Sequence, residues 1–354
     1  MRTQLIVDTS AFRSNLQTIR SLLTPRTKLL AVVKADAYGH GATVLSSIAM
    51  QEGVDYLGVA TVDEAIELRE AGISVPILIL TEPTDLSSLP GILYYNLSLT
   101  VYSEMFIRSL SKAVETFHKP VKIHVKVDTG MSRVGVAPEE AIPFMDLLKA
   151  QPLFHVEGMF THLATADSEE DSFTLQQLQR FNELKNALSK SEKISLFHVA
   201  NSAATIRFPE AHYDMVRVGI ALYKNVLTFK TRVLFVRDIP SGTSVGYSRT
   251  FIADKPLRLA VLSVGYADGY SRLLTNKGEV LLHGKRCPII GNVCMDMTMV
   301  KLPEGLIVSP GDTATLIGTQ SGETITAQDV AALTQTIDYE VMCSIGKRVP
   351  RVYV

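Results

Sequence analysis

A lysine at the end of an apolar run is the residue of this sequence with the clearest chemical potential. Lys34 follows Ala31-Val32-Val33 and precedes Asp36 and Tyr38 in AVVKADAYGHG. Burial against such a run strips an amine of hydration and favours its neutral form, which is the form that condenses with an aldehyde. A lysine stem lying along the run with its charge in water fits the same position. Other polar residues follow comparable runs: Lys126, Asp128 and Arg133 in KVDTGMSRVG, His162 in MFTHLATAD, Asn201 and Ser202 in HVANSAA, and Arg217 and Gly219 in VRVGIALY. Taken singly, each reads equally well as a helix cap, a solvated side chain or, for Arg217, an ion pair with Asp214 or Asp128. They become a site only if the fold brings the ends of the runs together.

The spacing of the runs predicts such a fold. Strand-like segments occupy Leu30–Val33, Tyr56–Ala60, Pro76–Leu80, Leu97–Val101, Lys122–Val127, Glu157–Thr161, Leu196–Val199 and Met215–Val218. Amphipathic runs lie between them, clearest at Val62–Ala71 and Ser168–Ser189, where apolar residues recur at helical intervals. Strand–helix alternation implies parallel pairing, and eight such strands in one N-terminal stretch predict an α/β fold of the closed (β/α)8 TIM-barrel type. An open doubly wound sheet is the rival, without a Gly-x-Gly-x-x-Gly turn to support it. In a barrel the carboxyl ends of all eight strands share one rim, and Lys34, Lys126, His162, Ser202 and Arg217 lie at those ends. From Thr228 onward, short strand-like runs are broken by Gly and Pro, with one helix at Ala327–Leu333 capped by Thr326. The expected division is a barrel over 1–227 and a mostly β domain over 228–354.

Composition narrows the function. The chain has 354 residues, 46% hydrophobic and 20% charged, with net charge −1. That balance suits a soluble globular protein and points away from nucleic acid. No apolar run is long enough to span a bilayer, so no membrane partner is expected. MRTQLIVDTSAFRSNL places Asp8 where a signal peptide has its apolar stretch, which predicts a cytoplasmic protein. Cys287, Cys294 and Cys343 lack metal-ligand spacing and are expected to be reduced, buried small hydrophobes; no metal is expected.

The segments VVKADAYGHG, KVDTGMSRVG, THLATAD, ANSAA, VRVGIALY, VGYSRTF, VGYADGY, NVCMDMTMV and YEVMCSIGKRVPR resemble those of bacterial alanine racemases, in that family's order and nearly end to end. The resemblance implies a pyridoxal 5'-phosphate (PLP) enzyme that interconverts L- and D-alanine and supplies D-alanine for peptidoglycan. It implies that Lys34 carries the cofactor and acts on one face of the substrate, with Tyr247, from the partner of a homodimer, acting on the other. Tyr38, Tyr339, Ser202 and the N–H groups of Gly219 and Ile220 would hold the phosphate, Asn201 opening the helix behind it. Arg217 would face the pyridine nitrogen. An arginine only donates hydrogen bonds, so it leaves that nitrogen unprotonated and weakens the ring as an electron sink relative to a carboxylate partner. His162 would link Arg217 to Tyr247; a tyrosine with its ordinary pKa of about 10 is a poor base, and a nearby cation favours the phenolate. Arg133 and the N–H of Met295 would hold the substrate carboxylate, with Lys126, often carbamylated in the family, positioning Arg133. Tyr266 and Asp268 fit either an entry channel or a structural turn.

Three positions depart from the family pattern. Lys224 replaces a glycine ahead of a shortened stretch to Thr231, and Ser248 and Asn292 stand where Gly and Arg are commoner. The rival readings are a racemase of broader specificity such as serine, a PLP-binding protein without catalysis, and a PLP decarboxylase. The β domain with Tyr247 argues against the second, and Arg217 against the third.

Overall fold

The structure, a computed structural model, describes residues 2–188 and 194–354. The chain forms two compact units. The larger comprises Arg13–Ala37 and Ala42–Leu222. Its sheet contains β1 (Lys28–Val32), β2 (Tyr56–Val59), β3 (Ile77–Ile79), β4 (Ser98–Val101), β5 (Val121–Lys126), β6 (Phe154–Phe160), β7 (Leu196–His198) and β8 (Met215–Val218). Each pairs in parallel with its sequence neighbour from β1 to β7, and β8 returns to β1 with Lys28 opposite Met215. The ring closes through Asp214 N to Phe197 O at 3.1 Å and Arg217 N to Ala200 O at 3.0 Å. Every residue of β2, β3 and β4 is buried, as expected of strands covered on both faces.

All eight predicted strands are present. The helix Val62–Glu70 starts at a capping box in which Thr61 and Glu64 satisfy each other's backbone N–H groups. The helix expected over Ser168–Ser189 begins later, at Ser172; Ser189 lies outside the described residues. Polar side chains explain the delay: Ser168 Oγ accepts from Glu170 N and Glu170 Oε1 from Ser172 N, an alternative to helical bonding.

The second unit contains the N-terminal residues through Phe12, Tyr38–Gly41 and Tyr223–Val354. Its spine is the strand Leu227–Ile239, antiparallel to Thr3–Val7, Leu257–Leu262 and Thr313–Gln320. The division therefore departs from a single cut after residue 227. Thr3–Val7 joins the β sheet, pairing also with Arg351–Tyr353, because alternate residues Leu5 and Val7 are fully buried there. A partner more than two hundred residues away leaves no local trace in sequence. The helix Ala327–Thr334 forms with Thr326 as its cap. Cys287 is buried as expected, but Cys294 is half-buried and Cys343, ending the helix Asp338–Cys343, is exposed; none of the three forms a disulfide. Among the described residues no helix is long and apolar enough to cross a membrane.

Candidate active site

Lys34 opens a segment of unusual backbone. Ala35, Asp36, Ala37 and Tyr38 have φ between +52° and +54°, and Gly39 has +82°, so the chain makes a left-handed turn. Each non-glycine residue costs about 1–2 kcal/mol in this conformation, and such strain persists only where neighbours over-determine it. They do so here. Ala35 N donates to Glu64 Oε1 and Ala42 N to Asp36 Oδ1, both at 2.7 Å. The second oxygen of Glu64 holds Ala60 N at 2.7 Å and Thr61 N at 3.3 Å, tying the turn to the start of the helix Val62–Glu70. Lys34 itself is half-buried, so the desolvation expected from the preceding apolar run is partial.

Arg217, in β8, is buried with its donors well supplied. Nη1 donates to His198 O at 2.8 Å, and Nη2 to Thr161 O at 2.7 Å and Val199 O at 3.2 Å. Two imidazole nitrogens also face it, His198 Nδ1 at 3.1 Å and His162 Nδ1 at 3.3 Å. Phe160 stacks on His198 and lies under the guanidinium, 5.0 Å from its centre. No carboxylate pairs with Arg217 among the described residues. Asp214 accepts from Phe197 N instead, and Asp128 accepts from Gly130, Met131 and Ser132 N. Burial lowers the guanidinium pKa, yet arginine remains the cation of the group. His162 is held well below the ordinary histidine range, by burial first and then by Arg217, Arg133, Lys126 and Lys34. It is neutral, and because Arg217 only donates, His162 Nδ1 accepts and its proton sits on Nε2.

Lys126 ends β5 with 6% exposure. Its ammonium is pushed down to about 8, by burial first and then by Arg133 and Arg217, with Asp128 opposing. Lys34, Lys126, Arg133 and Arg217 thus share one mouth, and the carboxylate beside them, Asp128, is engaged by its own turn. Arg133 is exposed. Across the mouth Ser202 Oγ accepts from Gly219 N at 2.9 Å and Ala221 N at 3.4 Å, with Ile220 between them. Asn201 Oδ1 caps the short helix Ser202–Arg207 through Ala204 N, so its side chain serves the helix.

The remaining candidates lie in the β unit. Tyr38 is buried against Tyr223, with Tyr339 5.9 Å away. Burial first, then Tyr339 and Cys343, raise its pKa strongly, so its hydroxyl is a donor. Tyr247 is 73% exposed and Met295 53%. Tyr247 opens a one-turn helix in which Ser248 and Arg249 have φ of 59° and 51°, and Asn292 Nδ2 donates to Tyr247 O at 2.8 Å. These are two of the three departures noted in sequence: Ser248 takes a left-handed position that suits glycine, and Asn292 fastens the backbone beside it. Asp268 is buried and binds Gly265 N, Arg2 and Arg348, which makes it the structural member of its turn.

Sequence reasoning passed over Glu64, Phe160 and His198. Glu64 follows Thr61 by three residues, the spacing of a capping box, but nothing local marks it as an anchor for the turn after Lys34. His198 lies within the run LFHVA, where a polar residue amid apolar neighbours was the available signal.

With this geometry in view, the comparisons with known proteins are direct. Residues 7–225 match the family model described as alanine racemase, N-terminal domain, and 226–353 the alanine racemase, C-terminal domain. An alanine racemase of Desulfovibrio desulfuricans is 42% identical over 365 aligned positions, covering 98% of this chain and 97% of that protein. The crystal structure of alanine racemase from Bacillus anthracis with bound L-Ala-P superposes with TM-score 0.94 at 34% identity, covering 100% of this chain and 95% of that one. That from E. faecalis gives 0.93 at 36%, covering 100% and 98%. Sequence and fold agree along the whole chain, which belongs to the alanine racemase family.

Proposed function

We propose that this chain interconverts L- and D-alanine with PLP held at the barrel mouth and two bases on opposite faces of Cα. The single observation that carries the reading is Arg217, a buried arginine bonded to carbonyls and imidazoles with no carboxylate beside it. The donor set fits a phosphorylated aldehyde. Lys34 supplies the amine, and Ser202, Gly219, Ile220, Tyr38 and Tyr339 the phosphate cradle. The surplus of cations around Lys126 suits a dianion and a carboxylate together. PLP, when bound, withdraws electrons from Cα and acidifies its hydrogen. Arg217 would face the ring nitrogen without a proton to give it. Arg133 and Met295 N–H orient the alanine carboxylate, and a carbamylated Lys126 supplies Arg133 with an anion.

Lys34 Nζ removes or returns the Cα proton on the D-alanine face. The partner subunit's Tyr247 does so through Oη on the L-alanine face, with His162 Nε2–H beside it. The exposure of Tyr247 and Met295 supports a head-to-tail homodimer with two composite sites. Three cysteines outside any disulfide, one of them exposed, support a reducing, cytoplasmic setting, where the product D-alanine serves peptidoglycan.

Circular dichroism of L-alanine tests the reading. The PLP-loaded protein is expected to bring the signal to zero, and Lys34→Ala and Tyr247→Phe each to abolish the decay. A constant signal with yellow, loaded wild-type protein refutes alanine racemisation.

A further inference from the structure

The barrel interior holds two imidazoles that racemisation as described does not use. His124, in β5, and His198, in β7, are fully buried. His124 Nδ1 lies 2.9 Å from His198 Nε2, and His198 Nδ1 lies 3.1 Å from Arg217 Nη1. Beyond His124, its Nε2 has no partner at hydrogen-bonding distance, but Glu157 Oε2 stands 3.7 Å away. Glu157 is the fourth residue of β6, at the irregularity between the pairs Ile123–Val156 and His124–Gly158. Ser98 Oγ donates to its Oε2 at 2.9 Å, and Lys122 Nζ lies 3.8 Å from Oε1. Gly158 makes room for the pair: a methyl there would lie 2.3 Å from His124 Nδ1.

The two ends of this chain impose one proton order. Arginine only donates and a carboxylate only accepts. His198 Nδ1 must therefore accept from Arg217, which puts its proton on Nε2. That proton is donated to His124 Nδ1, so the proton of His124 sits on Nε2 and points at Glu157. Both rings are held below the usual histidine range, by burial first and with Arg217 next for His198, consistent with one proton each.

We propose that Glu157 is a positioning residue for the cofactor-facing arginine: its carboxylate faces the far end of the imidazole pair and, with Arg217 at the near end, supports the one proton order that lets His198 accept from the guanidinium. The kinetic part rests on the reading of Arg217 as the residue at the ring nitrogen; the proton order does not.

The test is nitrogen NMR of the PLP-loaded protein with 15N-labelled histidine, paired with racemisation kinetics. In the wild type both rings are expected to carry the proton on Nε2. Glu157→Gln removes the charge that faces His124 Nε2–H, while Arg217 still donates to His198 Nδ1. Both rings should therefore keep the proton on Nε2, and the His124 Nε2 resonance should shift for want of the facing carboxylate, with a smaller shift at His198. kcat for alanine should fall severalfold, with KM changed less than twofold. Glu157→Asp, which keeps the carboxylate, should restore the wild-type resonances and most of kcat. The proposal is overturned if either ring of the wild type carries its proton on Nδ1 or is charged, if Glu157→Gln leaves the resonances of both rings unchanged, or if they shift while kcat holds. If Glu157→Gln does not fold, the wild-type and Glu157→Asp spectra still decide the proton order. A wild type that leaves L-alanine untouched sinks the proposed reaction, whereas the spectra judge the relay alone.

Discussion

Lys126→Met separates two charge states of the barrel mouth by the sign of one kinetic change. With its pKa at about 8, about a quarter of the Lys126 amines are neutral at pH 7.5, against about one in a thousand for an ordinary lysine. The ammonium first loses a proton, and the neutral amine then adds carbon dioxide: the nitrogen lone pair bonds to carbon, one C=O π pair moves onto oxygen, and an N–H proton leaves to solvent, so that with both protons released the side chain passes from +1 to −1. Arg133 then has an anionic partner in place of a cation. Methionine keeps the stem and removes the charge. If Lys126 is carbamylated, the variant deprives Arg133 of a charge-assisted bond of about 1.5–3 kcal/mol. KM for alanine should rise about 10–100-fold, with a smaller effect on kcat. Under 13C-bicarbonate the wild type should show one carbamate carbon signal that the variant lacks. If Lys126 is a bare ammonium, methionine removes a repulsion, KM falls or holds, and no signal appears; that result refutes the carbamate. The pH dependence carries the same distinction. A bare Lys126 releases its proton near pH 8 when folded and near 10.5 when unfolded. The unfolded state then binds more protons in that window, and stability rises with pH across it. In Lys126→Met that rise should disappear.

Two further substitutions probe the supports of the site. Gly158→Ala places a methyl 2.3 Å from His124 Nδ1 and 3.0 Å from Leu196 O. Overpacking of about 1–3 kcal/mol and a lost buried hydrogen bond of similar cost should lower Tm by several degrees and slow racemisation; a Tm within 2 °C of wild type, by calorimetry, contradicts the packing. Ser248→Gly relieves a left-handed residue and should raise Tm slightly, by at most about 1 kcal/mol of stability, whereas Asn292→Ala releases Tyr247 O and should slow turnover severalfold with PLP content unchanged.

The barrel was legible because its signals are local. Apolar runs at β2, β3 and β4 are bounded by turn residues, and Thr326 announces its helix by capping chemistry that acts within four residues. The site's candidates were legible because barrel topology places every strand end on one rim. What the sequence concealed depends on distance or on backbone angle. The pairing of Thr3–Val7 with Leu227–Ile239 depends on contacts across most of the chain. The left-handed turn after Lys34 uses Ala, Asp, Ala and Tyr at positions where a reader expects glycine, and only Glu64 and Asp36, once placed in space, show how it is held. Glu157 and His124 gave no signal, since a glutamate and a histidine in separate strands acquire meaning from the barrel interior that joins them.

Strain and surplus charge at the mouth point to a final consequence for the loaded protein. Burial first, and then the cations Lys34, Arg133 and Arg217, lower the pKa values of Lys126 and His162, and the left-handed turn adds backbone cost. Both are liabilities of the folded chain that a bound dianion offsets, since it binds the folded site and not the unfolded chain. At 100-fold excess over its Kd, such a ligand stabilises by about 2.7 kcal/mol. PLP should therefore raise Tm by several degrees, and inorganic phosphate should reproduce part of the shift in Lys34→Ala, where the covalent attachment is gone but the cradle remains. Ser202→Ala should reduce the phosphate effect by removing the hydroxyl that meets Gly219 N. An equal response to phosphate with and without Ser202 would mean that the charge of the mouth, and not the cradle, holds the anion.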